Sequence, residues 1–168
     1  MISHREKRWY AFVTKPRHEK KVKTYLDGYG IHHYLPLRKT LNQWKDRKRW
    51  VEAPLFPSYI FCEIQYVDRF QVLQVPSVVR IVGFNNEPMP VKESELESIR
   101  MLLSTDFELD VRPGLLTGDH VRISSGLLMD YEGQILEERG ERYFVIHISS
   151  IGKSVLLNAK NVKLEKIA

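Results

Sequence analysis

Cysteine occurs once, at Cys62, so the chain can close no internal disulfide and build no cysteine-based zinc finger. Long apolar runs are missing as well. Nothing approaches the roughly 20 residues of a membrane span. The start, MISHREKRWYAF, carries charges without an extended apolar region and cleavage site. A cytoplasmic location with no membrane partner is the expectation. There is no glycine-rich phosphate loop, no nucleophile elbow and no histidine-carboxylate spacing of a metal site. The six histidines are scattered. The adjacent His32 and His33 would point to opposite sides of a strand and cannot share a metal. No enzyme activity, cofactor or metal is therefore expected.

The 168 residues suffice for one ordinary domain or two small ones. Charge is present in quantity and unevenly placed. Residues 1–53 hold 14 Lys and Arg against 5 Asp and Glu, a balance of +9. Residues 54–103 hold 4 against 6, and residues 104–168 hold 8 against 10, so each remaining part is at −2. A basic region of this kind is the usual footprint of a polyanion, with nucleic acid the leading candidate.

Trp9 to Val13 (WYAFV) is an apolar run of strand length, closed by Thr14, Lys15 and Pro16. Residues 17–27 read as a helix with Val22, Tyr25, Leu26 and Tyr29 at helical spacing, ended by Gly28 and Gly30. Ile31 to Leu37 reads as a second strand. Residues 38–52, RKTLNQWKDRKRWVE, read as two strands joined by a tight turn near Lys45 and Asp46. Such a basic, tryptophan-bearing hairpin can track a phosphate backbone. It can equally be a solvated edge, because lysine on edge strands blocks aggregation.

The stretch Trp50 to Ile64, WVEAPLFPSYIFCEI, runs from that hairpin into an apolar strand. Neither Pro54 nor Pro57 can donate to a ladder, so Leu55 and Phe56 are presented at the strand's end beside Tyr59. Val67 to Val75 has mostly helical spacing and stops at Pro76. Val78 to Val82 is a further strand, Gly83 to Pro90 a loop, and Ser94 to Leu103 a second amphipathic helix. The order predicts an α+β domain over residues 1–103, with helices covering an antiparallel sheet. Residues 104–115, STDFELDVRPGL, are polar, without sustained periodicity, and read as a linker. From residue 116 to residue 168, short strands at His120–Ser124, Gly133–Glu138, Tyr143–Ile148 and Val155–Leu157 alternate with glycines, which predicts a small all-β barrel.

The amino-terminal WY, the LFPSYIF strand, the VPSVVRIVGF segment and the PVKESELESI helix, in this order, resemble the amino-terminal (NGN) domain of the NusG family of transcription elongation factors. The tail GDHVRISSGLLMDYEG resembles a KOW motif, with Gly118 opening it and Gly133 ending its turn. The wording EAPLFPSYIF is closer to the specialised paralogues, RfaH and the operon-specific antiterminators of polysaccharide gene clusters. The segment DRFQVLQV departs from RfaH's threonine-rich DNA-reading stretch, so no base-reading residue carries over.

The resemblance implies that the first domain docks an apolar pocket onto the clamp helices of RNA polymerase, with Phe56 and Tyr59 at the motif positions and Tyr10 beside them. Aromatic rings suit that task because they offer large, rigid contact area. Lys15, Arg17 and Lys21, at the start of the first helix, are expected to meet the phosphates of the non-template DNA strand. The KOW domain is implied to recruit a small-subunit ribosomal protein or the termination factor Rho through the loop Ser149–Lys153. There Ile151 replaces an aromatic of the housekeeping factor, which counts against Rho. From the residues alone Ile151 reads as a core side chain. A monomer is expected. RfaH can hold its barrel sequence as a helical hairpin. Gly133 and Gly152, where those helices would run, and the strand formers Tyr143 to Ile146 instead predict a barrel here. The competing reading is a KOW-bearing RNA-binding or ribosome-associated protein, which would not account for the amino-terminal motifs.

Overall fold

A computed structural model describes residues 4–167, which form two compact units, one ending at Val91 and one beginning at Lys92. The first unit runs β1 (Lys7–Thr14), α1 (Glu19–Gly28), β2 (His33–Tyr34), β3 (Leu37–Trp44), β4 (Arg47–Pro54), β5 (Tyr59–Gln65), α2 (Arg69–Leu73), β6 (Val78–Ile81), β7 (Gly83–Phe84) and β8 (Glu87–Pro88). Four strands make one sheet in the order β2-β5-β1-β6, while β3 and β4 pair only with each other.

The apolar run WYAFV becomes the central strand β1, antiparallel to both neighbours. Trp9, Tyr10, Ala11 and Phe12 are all buried, as a strand covered on both faces requires. Alternation sends Tyr10 and Phe12 to one face, where they form a core with Ile60, Cys62 and Ile64 of β5, Val22 and Leu26 of α1, and Val72 near Val75. The helical spacing of α1 and α2 exists to supply those side chains. Trp9 and Ala11 point to the other face with Phe61 of β5, which pairs with Ala11. The segment 83–90, expected as a loop, closes into the small β7-β8 hairpin because Asn85 and Asn86 both take positive φ (50° and 61°), the geometry of a type I′ turn.

The second unit holds α3 (Glu93–Leu103), β9 (Leu109–Pro113), β10 (Asp119–Ile123), β11 (Glu132–Glu138), β12 (Glu141–Ile148), β13 (Lys153–Asn158) and β14 (Leu164–Lys166). Six antiparallel strands form one sheet in the order β14-β10-β11-β12-β13-β9. Residues 133–157 are thus strands and turns rather than helices. Buried Val121, Ile123, Phe144, Ile146, Val155 and Leu157 supply the apolar interior.

Two stretches near the middle of the chain pack with the second unit. The helix at residues 93–103, assigned to the first domain, groups by proximity with the second unit, where α3 packs against β12. Residues 104–115, assigned to a linker, contain β9, which pairs with β13 from Leu109↔Leu157 to Lys153↔Pro113. Just beyond, the buried Ser154 hydroxyl donates to the Gly114 carbonyl (2.7 Å) and accepts from the Leu116 N–H (3.1 Å), pinning this segment to the sheet.

Among the described residues no helix is long and apolar enough to cross a membrane.

Candidate functional site

β1 runs antiparallel to β5 and β6, so the end of β1 and the starts of β5 and β6 lie at one end of the sheet. Each is entered or left through the same device. Lys15-Pro16-Arg17-His18, Phe56-Pro57-Ser58-Tyr59 and Val75-Pro76-Ser77-Val78 are all four-residue turns with proline second. Each is closed by an N–H from its fourth residue to the carbonyl of its first, at 3.1, 3.2 and 3.1 Å. The third residues have φ of 66° (Arg17), 69° (Ser58) and 73° (Ser77). That combination is the type II turn, whose third position favours glycine or asparagine. Here it is filled by arginine and two serines, so each turn carries local backbone strain of the kind found at functional positions.

The turns are tied together. The Thr14 N–H donates to the Ser58 carbonyl (2.8 Å), and the Lys15 N–H donates to the Ser77 carbonyl (2.9 Å). The basic turn is thereby locked to the aromatic turn on one side and to the turn before β6 on the other. Lys15 and Arg17 are exposed, and Lys21 follows, exposed, in the first turn of α1. Lys20, which sequence reasoning did not single out, donates from Nζ to the Glu52 backbone carbonyl and fixes α1 against the base of the β3-β4 ribbon. Glu19 in the first turn of α1 is buried, its Oε1 without a hydrogen-bond partner. A carboxylate suits the positive end of the helix dipole.

The three aromatic candidates are not equivalent. Phe56 is only 2% exposed, because the Pro57 turn folds its ring back onto Phe61, edge-to-face at 6.2 Å and 85°. Tyr59 is half-buried and opens β5 at this end. Tyr10 does not join them. It pairs with Cys62, three positions along the ladder from the Val13↔Tyr59 pair, and strand alternation turns it to the opposite face. Its ring packs 5.7 Å from Tyr66. Burial raises the pKa of its hydroxyl, an effect that the Arg8 guanidinium partly offsets. In the second unit, Ser149 to Ile151 form a short 3-10 turn closed by Gly152 at φ 61°. Ile151 and Ser150 are buried and Ser149 is exposed, so the side chain expected to meet a partner faces inward. Among the described residues no three His, Cys, Asp or Glu side chains gather as a metal would require.

The first unit is α+β around a four-stranded antiparallel sheet, and the second sets one helix beside a six-stranded antiparallel sheet. The solved structure described as "Domain interaction in Thermotoga maritima NusG" superposes with a TM-score of 0.55 at 29% identity, covering 98% of this chain and 99% of that one. The family model "Transcription termination factor nusG" matches residues 7–100. The chain belongs to the NusG family of transcription termination/antitermination factors. Among curated relatives, the NusG protein of Helicobacter pylori (strain 26695) is 23% identical, over 95% of this chain and 98% of its own length. That of Synechocystis is 27% identical, over 96% and 90%. Both are named transcription termination/antitermination protein.

Proposed function

We propose that this chain is an elongation and antitermination factor that docks on the clamp helices of RNA polymerase through the surface around Tyr59, with the buried Phe56 ring holding that surface from beneath. The Lys15-Pro16-Arg17 turn and Lys21 lie against the non-template DNA strand. One observation carries this reading. The hydrogen bonds Thr14 N–H to Ser58 and Lys15 N–H to Ser77 fuse the aromatic and basic turns into one rigid end of the sheet. A protein contact and a phosphate contact made there have a fixed spacing, and no ordering cost of a loop opposes either. Tyr10, on the other face, is left out of the docking surface and serves the core.

The remaining assignments belong to the same proposal. The family match ends at residue 100, which supports drawing the first domain to residue 103. The second domain recruits a small-subunit ribosomal protein through the loop Ser149–Lys153, with Ile151 as its internal support. The wording EAPLFPSYIF favours a specialised, operon-specific role. The protein acts in the cytoplasm as a monomer.

The test uses the full chain and core RNA polymerase. Tyr59→Ala should weaken binding by about 2 kcal/mol, the loss typical of an interface aromatic, at an unchanged melting temperature. Phe56→Ala should lose about 3–5 kcal/mol of stability, as buried phenylalanines do. Full-strength polymerase binding by a well-folded Tyr59→Ala variant would remove the docking assignment. Binding to ribosomal subunits in place of polymerase would favour the RNA-associated alternative.

A further inference from the structure

Apart from the Lys20 contact at Glu52, the β3-β4 ribbon stands outside the end of the sheet described above. Its strands pair with each other from Leu37↔Pro54 to Trp44↔Arg47 and with no other strand. Every residue from 41 to 50 is exposed. Packing therefore does not account for the composition of that stretch: Lys45, Arg47, Lys48 and Arg49 against only Asp46.

The register sorts these residues into two unlike faces. Directly paired residues in an antiparallel ribbon share a face, and successive pairs alternate. One face carries Arg38 with Ala53, Thr40 with Val51, Asn42 with Arg49, and Trp44 with Arg47. The other carries Lys39 with Glu52, Leu41 with Trp50, and Gln43 with Lys48. The first face concentrates all three arginines of the ribbon together with Asn42 and Thr40. Arginine, asparagine and threonine are the side chains whose donors and acceptors match base edges in the major groove, and that groove admits a two-stranded ribbon. Trp44 and Trp50, 61% and 67% exposed, stand on opposite faces, so one single strand cannot stack on both.

We infer that the ribbon is a second nucleic-acid surface, which lies in the major groove of duplex DNA with the Arg47, Arg49 and Asn42 face turned inward and Lys45 at the tip beside the backbone. This surface differs from the Lys15-Arg17 turn in position and in the form of DNA it takes. It does not depend on polymerase docking, so naked DNA suffices for the test.

Binding of the full-length protein to a short DNA duplex and to its isolated single strand is measured by fluorescence anisotropy across a salt series. Melting curves verify that each variant is folded. The expected result is tighter binding to duplex than to single strand, a loss of roughly tenfold or more in Arg47→Gln/Arg49→Gln, and a much smaller loss in Lys48→Gln on the opposite face. An equal loss in Lys48→Gln would mean undirected charge attraction and would overturn the proposal. Preference for single strand accompanied by quenching of Trp50 fluorescence, or no loss in the double variant, would overturn it too.

Discussion

Replacing Arg17 by glycine should move stability and DNA binding in opposite directions. At φ 66° an L-residue sits in the left-handed region, which costs about 1–2 kcal/mol. Glycine adopts that conformation freely but loses about 0.5–1 kcal/mol more backbone entropy on folding. The balance is a gain of roughly 0.5–1 kcal/mol, or a melting temperature a few degrees higher for a unit of this size. The same change removes one exposed cation from the basic turn, and one lost phosphate contact on a single strand should flatten the dependence of log affinity on log salt by about 0.7. Arg17→Lys keeps both charge and strain and should change neither quantity much. Calorimetric melting and a salt series on a single strand measure the two effects on the same samples. A lower melting temperature in Arg17→Gly would show that the guanidinium holds the turn together. A higher one with an unchanged salt slope would make Arg17 a solvated residue with no DNA contact.

Gly118→Ala should destabilise the second unit by about 1–3 kcal/mol, as overpacking does, because a Cβ there would meet the Ile135 backbone carbonyl at 1.9 Å. Unaltered melting would mean that β10 can shift at no cost. Burial raises the pKa of the Cys62 thiol, so folding keeps its proton and the unfolded chain releases it above about pH 8.5. Stability should therefore decline with pH above that point, less steeply in Cys62→Ala, and thiol alkylation should stay slow until denaturant is added. Rapid alkylation of the native protein would contradict the observed burial.

The elements legible in the sequence were those whose own pattern sufficed. WYAFV, the α1 stripe of Val22 and Leu26, and the turn at Lys45-Asp46 each carry their signal locally, and each formed where expected. What stayed hidden depended on partners distant in the chain. β9 and β14 are the two edges of the six-stranded sheet, and edges tolerate charge and proline. LDVRP consequently read as linker although Leu109 and Val111 alternate. The separation of Tyr10 from Tyr59 follows from the pairing Tyr10↔Cys62, a register no local pattern specifies. The proline turns were concealed for a different reason. KPRH, FPSY and VPSV lack the glycine that usually marks positive φ, and only the fold reveals that the three meet.

Because every residue from 41 to 50 is exposed and none joins the core, their sequence is only loosely coupled to the stability of the chain. Substitutions there are filtered by what the ribbon touches and hardly at all by whether the protein folds. A ribbon of altered side chains, or a longer one of the same register, can be transplanted onto Leu37 and Pro54 while the sheet beneath is left as it is. The ribbon is therefore where members of such a lineage can diverge in target while sharing one scaffold, and where a redesigned recognition sequence would be tolerated first.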